Sequence, residues 1–149
     1  MIHMNVGKFA EENNCYEGRD EELDTNVLDE DKLLDLLEVF FQQAADSGKG
    51  VVADFHVCEI FPERWFDLVL VLRATTEVLF DRLTARGYPD KKRDENMESE
   101  IMQVILDEAR ESYAHEIVHE VPSNVLEDLQ SNVHRACQWC EQWVSINAK

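Results

Sequence analysis

The chain has 149 residues, 44% of them hydrophobic, with 14 Lys plus Arg against 32 Asp plus Glu for a net charge of -18. That length suits one domain spanning 1–149, and seven Phe, three Trp and three Tyr supply enough apolar bulk to exclude wholesale disorder. The charge disfavours direct binding to phosphate backbones and suits a basic protein partner better, or serves solubility alone. Four cysteines are too few to staple a small secreted fold, no signal peptide is apparent, and "WFDLVLVL" is too short and carries Asp67, so neither a membrane span nor an oxidising compartment is expected.

In chain order, "MIHMNV" reads as a short strand and "GKFAEENN" as the start of a helix. The acidic stretch "YEGRDEELDTNVLDED" reads as turn-rich. Leu33, Leu34, Leu36, Leu37, Phe40 and Phe41 then recur at helical spacing, with Asp29 placed to cap the helix and Gly48 to stop it. "VVADF" is a strand, and "DLVLVL" a continuous apolar run of the kind a parallel strand shows when both its faces are covered. "TTEVLFDRLTARG" is a helix capped near Thr75 or Thr76, with a stripe through Val78, Leu79 and Leu83 and a stop at Gly87. A charged connector, "YPDKKRDENMES", leads to one long helical pattern, "EIMQVILDEARESYAHE". "IVHEV" reads as the next strand, and Pro122, Ser123 and Asn124 introduce a last amphipathic helix ending near Trp143. Strands alternating with helices predict an α/β domain with a mainly parallel sheet, whose ligands sit beyond the carboxyl ends of the strands.

The tip of "VVADFH" lies at such an end. If the strand continued to His56, Asp54 and His56 would share a face. The carboxylate then suits a Mg²⁺-bound water and the imidazole a water or phosphate oxygen; the plainer alternative is an acid that caps the following loop. Arg82 and Arg86 are four apart and project from one helix face, and Lys91, Lys92 and Arg93 follow closely. The cluster suits a phosphate-binding lid, or equally a solvated helix end whose cations complement the helix dipole.

Other patterns carry less. No G-x-x-x-x-G-K-[ST] occurs, and "SGKGVV" precedes a strand instead of following one. Cys137 and Cys140 have ligand spacing without a second pair and read as part of a packed helix face. His115 and His119 flank a strand start, and the acidic run 20–31 lacks the central glycine of a calcium loop.

The segments "NVG", "YEGRDEE", "LDED", "DFHVCEIFPERWFDLVLVLR", "LFDRLTARGY", "EARESYAHEIVHEVPSN" and "QWCEQWV" together resemble the adenylate kinase isoenzyme 6 family, in order and along essentially the whole chain. The resemblance implies a P-loop fold of the nucleoside-monophosphate-kinase type, a three-layer α/β sandwich, with Mg²⁺-dependent ATP and AMP chemistry. It also implies nuclear and cytoplasmic residence and a part in small ribosomal subunit maturation through a basic ribosomal protein. On this chain it assigns the Walker B and catalytic pair to Asp54 (holding Mg²⁺ indirectly) and His56. It assigns a lid over 82–96 to Arg86 in "RGY", with Arg82 one turn earlier and Lys91 beyond, and a monophosphate-binding region over 5–31, opening with Asn5 and Gly7.

Two departures bear on activity. The family's phosphate loop and the central strand before it have no counterpart in these residues, which is expected to leave the strands at 51–55 and 68–72 without a shared neighbour. Glu11 stands where the family's "LAREE" has arginine, and an acid there repels AMP. The expectation is an adenylate kinase or ATPase relative that is weakly active or inactive in this form; the alternative is a non-catalytic module binding a basic ribosomal protein.

Overall fold

The computed structural model describes residues 1–23 and 25–147, which form a mixed α/β protein in two compact units. One unit comprises Met1–Trp65 with Tyr88–Glu95, the other Phe66–Gly87 with Asn96–Lys149.

In the first unit, β1 (Ile2–Asn5) pairs in parallel with β4 (Val51–Asp54), setting Met4 beside Ala53 and Asn5 beside Asp54. Side chains alternate, so Met4 and Ala53 share the packed face, while His3, Val52 and Asp54 share the open one. Between the two strands the chain runs through α1 (Val6–Glu12), an antiparallel hairpin of β2 (Tyr16–Asp20) and β3 (Thr25–Leu28), and α2 (Glu30–Asp46). The hairpin replaces the turn-rich stretch expected from sequence. The short polar strands show no apolar alternation, and Asp20 Oδ1 organises the turn by accepting from the amides of Glu22 at 3.0 Å and Leu23 at 3.2 Å. Asp24, in the same acidic run, lies outside the described residues.

Helix α2 begins and ends where its sequence requires. Asp29 accepts from the Lys32 amide at 3.2 Å, and Gly48 takes φ +68° just past the last turn. Its inner face buries Leu33 and Leu37 with Val6, Ala10 and Cys15. Phe41, Trp65 and Phe61 continue the apolar contact, the Phe41 and Trp65 rings meeting edge to face at 5.0 Å.

In the second unit, β5 (Val69–Arg73) pairs in parallel with β6 (Val118–Pro122). Helix α5 (Val104–Ser112) packs against this pair and buries Leu106 and Ala109; Val69, Val71, Val121 and Tyr113 complete the core. The expectation that both faces of β5 are covered is corrected here, because Leu70 and Leu72 are exposed on the face opposite Val69 and Val71. Among the described residues β4 pairs with β1 alone and β5 with β6 alone, as expected for strands lacking a shared neighbour.

Three helices also differ from the sequence reading. The charged connector is itself helical, α4 (Asp90–Ile101), because Lys, Arg, Glu and Met are good helix formers even without an apolar stripe. The single long helix expected after it is broken at Gln103, whose φ of +58° separates α4 from α5. The last helix, α6 (Leu126–Asn147), has no fully buried residue; Asn132, Ala136, Trp139 and Cys140 are half-buried, while Cys137 and Trp143, expected on the packed face, are exposed.

Candidate functional site

Asp54 closes β4, and its carboxylate contacts His3 Nε2 from β1 across the open face of the pair. Its neighbour in register, Asn5, is the N-cap of α1, with Oδ1 accepting from the Lys8 amide at 3.0 Å; Gly7 follows in the first turn. The carboxyl ends of β1 and β4 therefore bring together three residues singled out from sequence, Asn5, Gly7 and Asp54, and add His3, which sequence reasoning missed. Its signal was available: three residues on β1 precede the same helix cap, and alternation sets His3 on the Asp54 face.

His56 is placed differently from the expectation. The strand ends at Asp54, so alternation does not carry His56 onto the Asp54 face; it lies at a bend with its ring 4.2 Å from the Phe55 ring. Desolvation by these surroundings, aided by the Lys92 ammonium, lowers its pKa from the ordinary imidazole value. At neutral pH it is an uncharged donor and acceptor, suited to orienting a water or hydroxyl.

The basic residues within and after α3 (Thr76–Ala85) have different partners. In the first unit Lys91 is ion-paired with Glu22 in the hairpin turn, and Lys92 lies 4.3 Å from the Tyr88 ring centroid. In the second unit Arg82 donates to the Ser123 carbonyl at 2.6 Å and to the Asn124 carbonyl at 3.1 Å. Arg86 is the exposed C-cap of α3. Arg82 and Arg86 leave the same helix, yet Arg82 is spent on the backbone of the 123–124 turn instead of projecting freely beside Arg86.

That turn borders a cavity of about 360 Å³ at the carboxyl ends of β5 and β6, lined by Arg73, Ala74, Thr75, Glu120, Pro122 and Asn124. Its walls are fixed by side-chain bonds. Asn124 Oδ1 accepts from the Thr75 amide at 2.7 Å, Asp128 accepts from the Asn124 and Val125 amides, and Asn132 donates to the Pro122 carbonyl at 2.7 Å. Arg73 is held by Glu100, through side chain and carbonyl, and by Glu120 at 3.3 Å; Arg110 approaches the other Glu120 oxygen at 3.6 Å. Sequence reasoning passed over Arg73, Thr75, Glu120 and Asn124, although "VLR" and "VPSN" mark two parallel strand ends.

The described residues contain no group of three or more His, Cys, Asp or Glu able to hold a metal ion. Asp54 alone thus fits an outer hold on a hydrated cation whose remaining ligands are water and phosphate, as Mg²⁺ prefers, and does not fit a cage of protein ligands.

Parallel strand pairs, with an acid at the tip of β4 and an open cavity at the carboxyl ends of β5 and β6, fit an α/β protein of the nucleotide-kinase-like type. A family profile described as an AAA domain matches residues 1–103. The chain is 48% identical to an adenylate kinase isoenzyme 6 homolog of Candida albicans over 93% of its own length and 54% of that relative. It is 47% identical to the homolog of Caenorhabditis elegans, covering 93% of the chain and 74% of the relative. For the homolog of Dictyostelium discoideum the identity is 46%, with 99% and 81% covered. The chain belongs to the adenylate kinase isoenzyme 6 family.

Proposed function

We propose that the chain carries the acid and lid portion of a phosphoryl-transfer site for Mg²⁺-ATP and AMP. The observation that carries this reading is Asp54 at the tip of β4, in register with the α1 cap, in a chain whose relatives are named adenylate kinase isoenzyme 6 homologs. Asp54 would hold Mg²⁺ through water, the neutral His56 would orient the reacting oxygen, and Lys91, released from Glu22, would meet phosphate charge. Mg²⁺ bound there would neutralise charge developing on the transferred group. These 149 residues contain no phosphate-cradling glycine loop, and Glu11 repels a monophosphate, so by themselves they transfer phosphoryl groups weakly or not at all.

Calorimetric titration with Mg²⁺-ATP tests the reading. Saturable heat that disappears in Asp54→Ala supports a site at the strand tip, and no heat from a folded chain up to millimolar ATP rejects it.

A second reading is favoured by how the candidate groups are engaged. Asp54 is held by His3, Lys91 by Glu22 and Arg82 by two carbonyls, while the surface carries a net charge of -18. Such a chain serves as a non-catalytic module that binds a basic small-subunit ribosomal protein, in the nucleus and cytoplasm, during ribosomal subunit maturation. Capture of that protein unaffected by Asp54→Ala or by nucleotide supports the module. Capture abolished by either change rejects it.

A further inference from the structure

The open face of the β1–β4 pair carries more donors than Asp54. Paired residues of a ladder share a face and alternate residues return to it, so His3 and Asn5 of β1 stand on the same side as Val52 and Asp54 of β4. Register sets His3 opposite Val52 and Asn5 opposite Asp54, and the His3 ring reaches diagonally along the ladder to the carboxylate. Both side chains of that contact are open to solvent, His3 67% exposed and Asp54 57%, and no lysine or arginine pairs with Asp54 among the described residues. Beside them, Asn5 Oδ1 accepts from the Lys8 amide, which leaves its second lone pair for another partner.

An exposed imidazole–carboxylate contact adds little to holding two strands together, because water competes for both groups. Its chemistry is more specific. A neutral imidazole supplies a nitrogen lone pair, the carboxylate an anionic oxygen and Asn5 a neutral oxygen, all from the end of one ladder. Mg²⁺ prefers oxygen and gives up its water reluctantly, so Asp54 by itself suits that ion through water. Imidazole nitrogen favours first-row transition ions instead. The openness of this face leaves the remaining positions of a six-coordinate ion to water or phosphate.

We propose that His3 and Asp54, with Asn5 beside them, form a direct-contact site for a divalent first-row transition ion of the Mn²⁺ kind. The ion takes the place of the hydrogen bond between His3 Nε2 and the carboxylate, and the ring's proton is carried on Nδ1 towards water. Entry requires rotation of two exposed side chains and no movement of either strand. A net charge of -18 draws divalent cations to the whole surface, so the distinguishing mark of this site is its nitrogen. The site shares Asp54 with the phosphoryl-transfer reading, but it stands on the protein donors alone and needs no nucleotide.

Electron paramagnetic resonance of the nucleotide-free chain titrated with Mn²⁺ tests the proposal. The expected result is one ion held more tightly than the rest, with spin-echo modulation from a directly bound nitrogen. His3→Gln keeps a side chain able to donate to Asp54 but has no imidazole nitrogen; it removes the modulation and weakens that ion roughly tenfold or more. Asp54→Asn weakens it likewise, whereas Asp35→Asn, which removes an exposed carboxylate from α2, leaves it unchanged. His3→Ala repeats the measurement without a side-chain amide, and both His3 variants keep the parent's far-ultraviolet dichroism because the position is exposed. Ions held without nitrogen modulation, modulation that survives both His3 variants, or an affinity indifferent to them each overturns the site and means adventitious binding to surface carboxylates. Titration of the same samples with Mg²⁺-ATP keeps the two readings apart. Mg²⁺-ATP heat from a chain without nitrogen-bound Mn²⁺ refutes this site alone, and nitrogen-bound Mn²⁺ in a chain that takes up no Mg²⁺-ATP sustains it while rejecting phosphoryl transfer.

Discussion

At the scale of single residues, the informative side chains are polar groups whose partners are internal. Arg82 illustrates the difference between residue type and residue role: its type suits phosphate, but its guanidinium joins α3 to the 123–124 turn. Arg82→Ala therefore lowers stability by about 1 kcal/mol, the net worth of an exposed charge-assisted pair of bonds, measured as a shift in the urea midpoint. Arg86→Ala, at the exposed end of the same helix, leaves that midpoint within about 0.5 kcal/mol of the parent. His56 gives a pH prediction with a definite sign. Its pKa is lower in the folded chain than in the unfolded one, so the unfolded chain takes up this proton first as pH falls. The stability tied to the neutral ring is complete above the ordinary imidazole value and is lost as pH falls from there to the folded value. Resolved imidazole resonances should show His56 titrating below the ordinary imidazole value.

At the scale of elements, the helices whose caps and apolar spacing agree are the ones legible from sequence. Helix α2 has both: Asp29→Ala removes its cap and costs about 1 kcal/mol. Leu37→Ala opens a cavity beneath its inner face and costs about 2–5 kcal/mol. Both are read from chemical or thermal unfolding. Strands β1, β4, β5 and β6 were likewise visible as short apolar runs bounded by breakers. The hairpin β2–β3 was not, because a small, polar, two-sided ribbon carries no hydrophobic period, and its turn rests on the Asp20 side chain. The break at Gln103 was equally silent, since the residue is neither Gly nor Pro and helical spacing continues across it. Of the candidate site, Asp54 at a strand tip followed from position alone. The loss of alternation at His56 and the Lys91 pair with Glu22 depend on where the strand stops and on how the hairpin folds, neither of which local spacing encodes.

At the scale of the whole molecule, the net charge of -18 dominates. Like charges repel more strongly when brought together by folding than in an expanded chain, so raising salt from low to physiological ionic strength raises the melting temperature. A melting temperature that falls with salt would mean that specific ion pairs such as Arg73 with Glu100 outweigh the general repulsion. The open side of β5 gives the same charge a second task. Leu70 and Leu72 lie exposed on a strand with one hydrogen-bonded neighbour among the described residues, the kind of edge on which chains stack without limit. Mutual repulsion keeps such edges apart, which makes shelf life and heat resistance opposed properties in this protein. The salt that lifts its melting temperature shortens the time before light scattering rises in a stored sample, and acidification into the carboxylate range shortens it further.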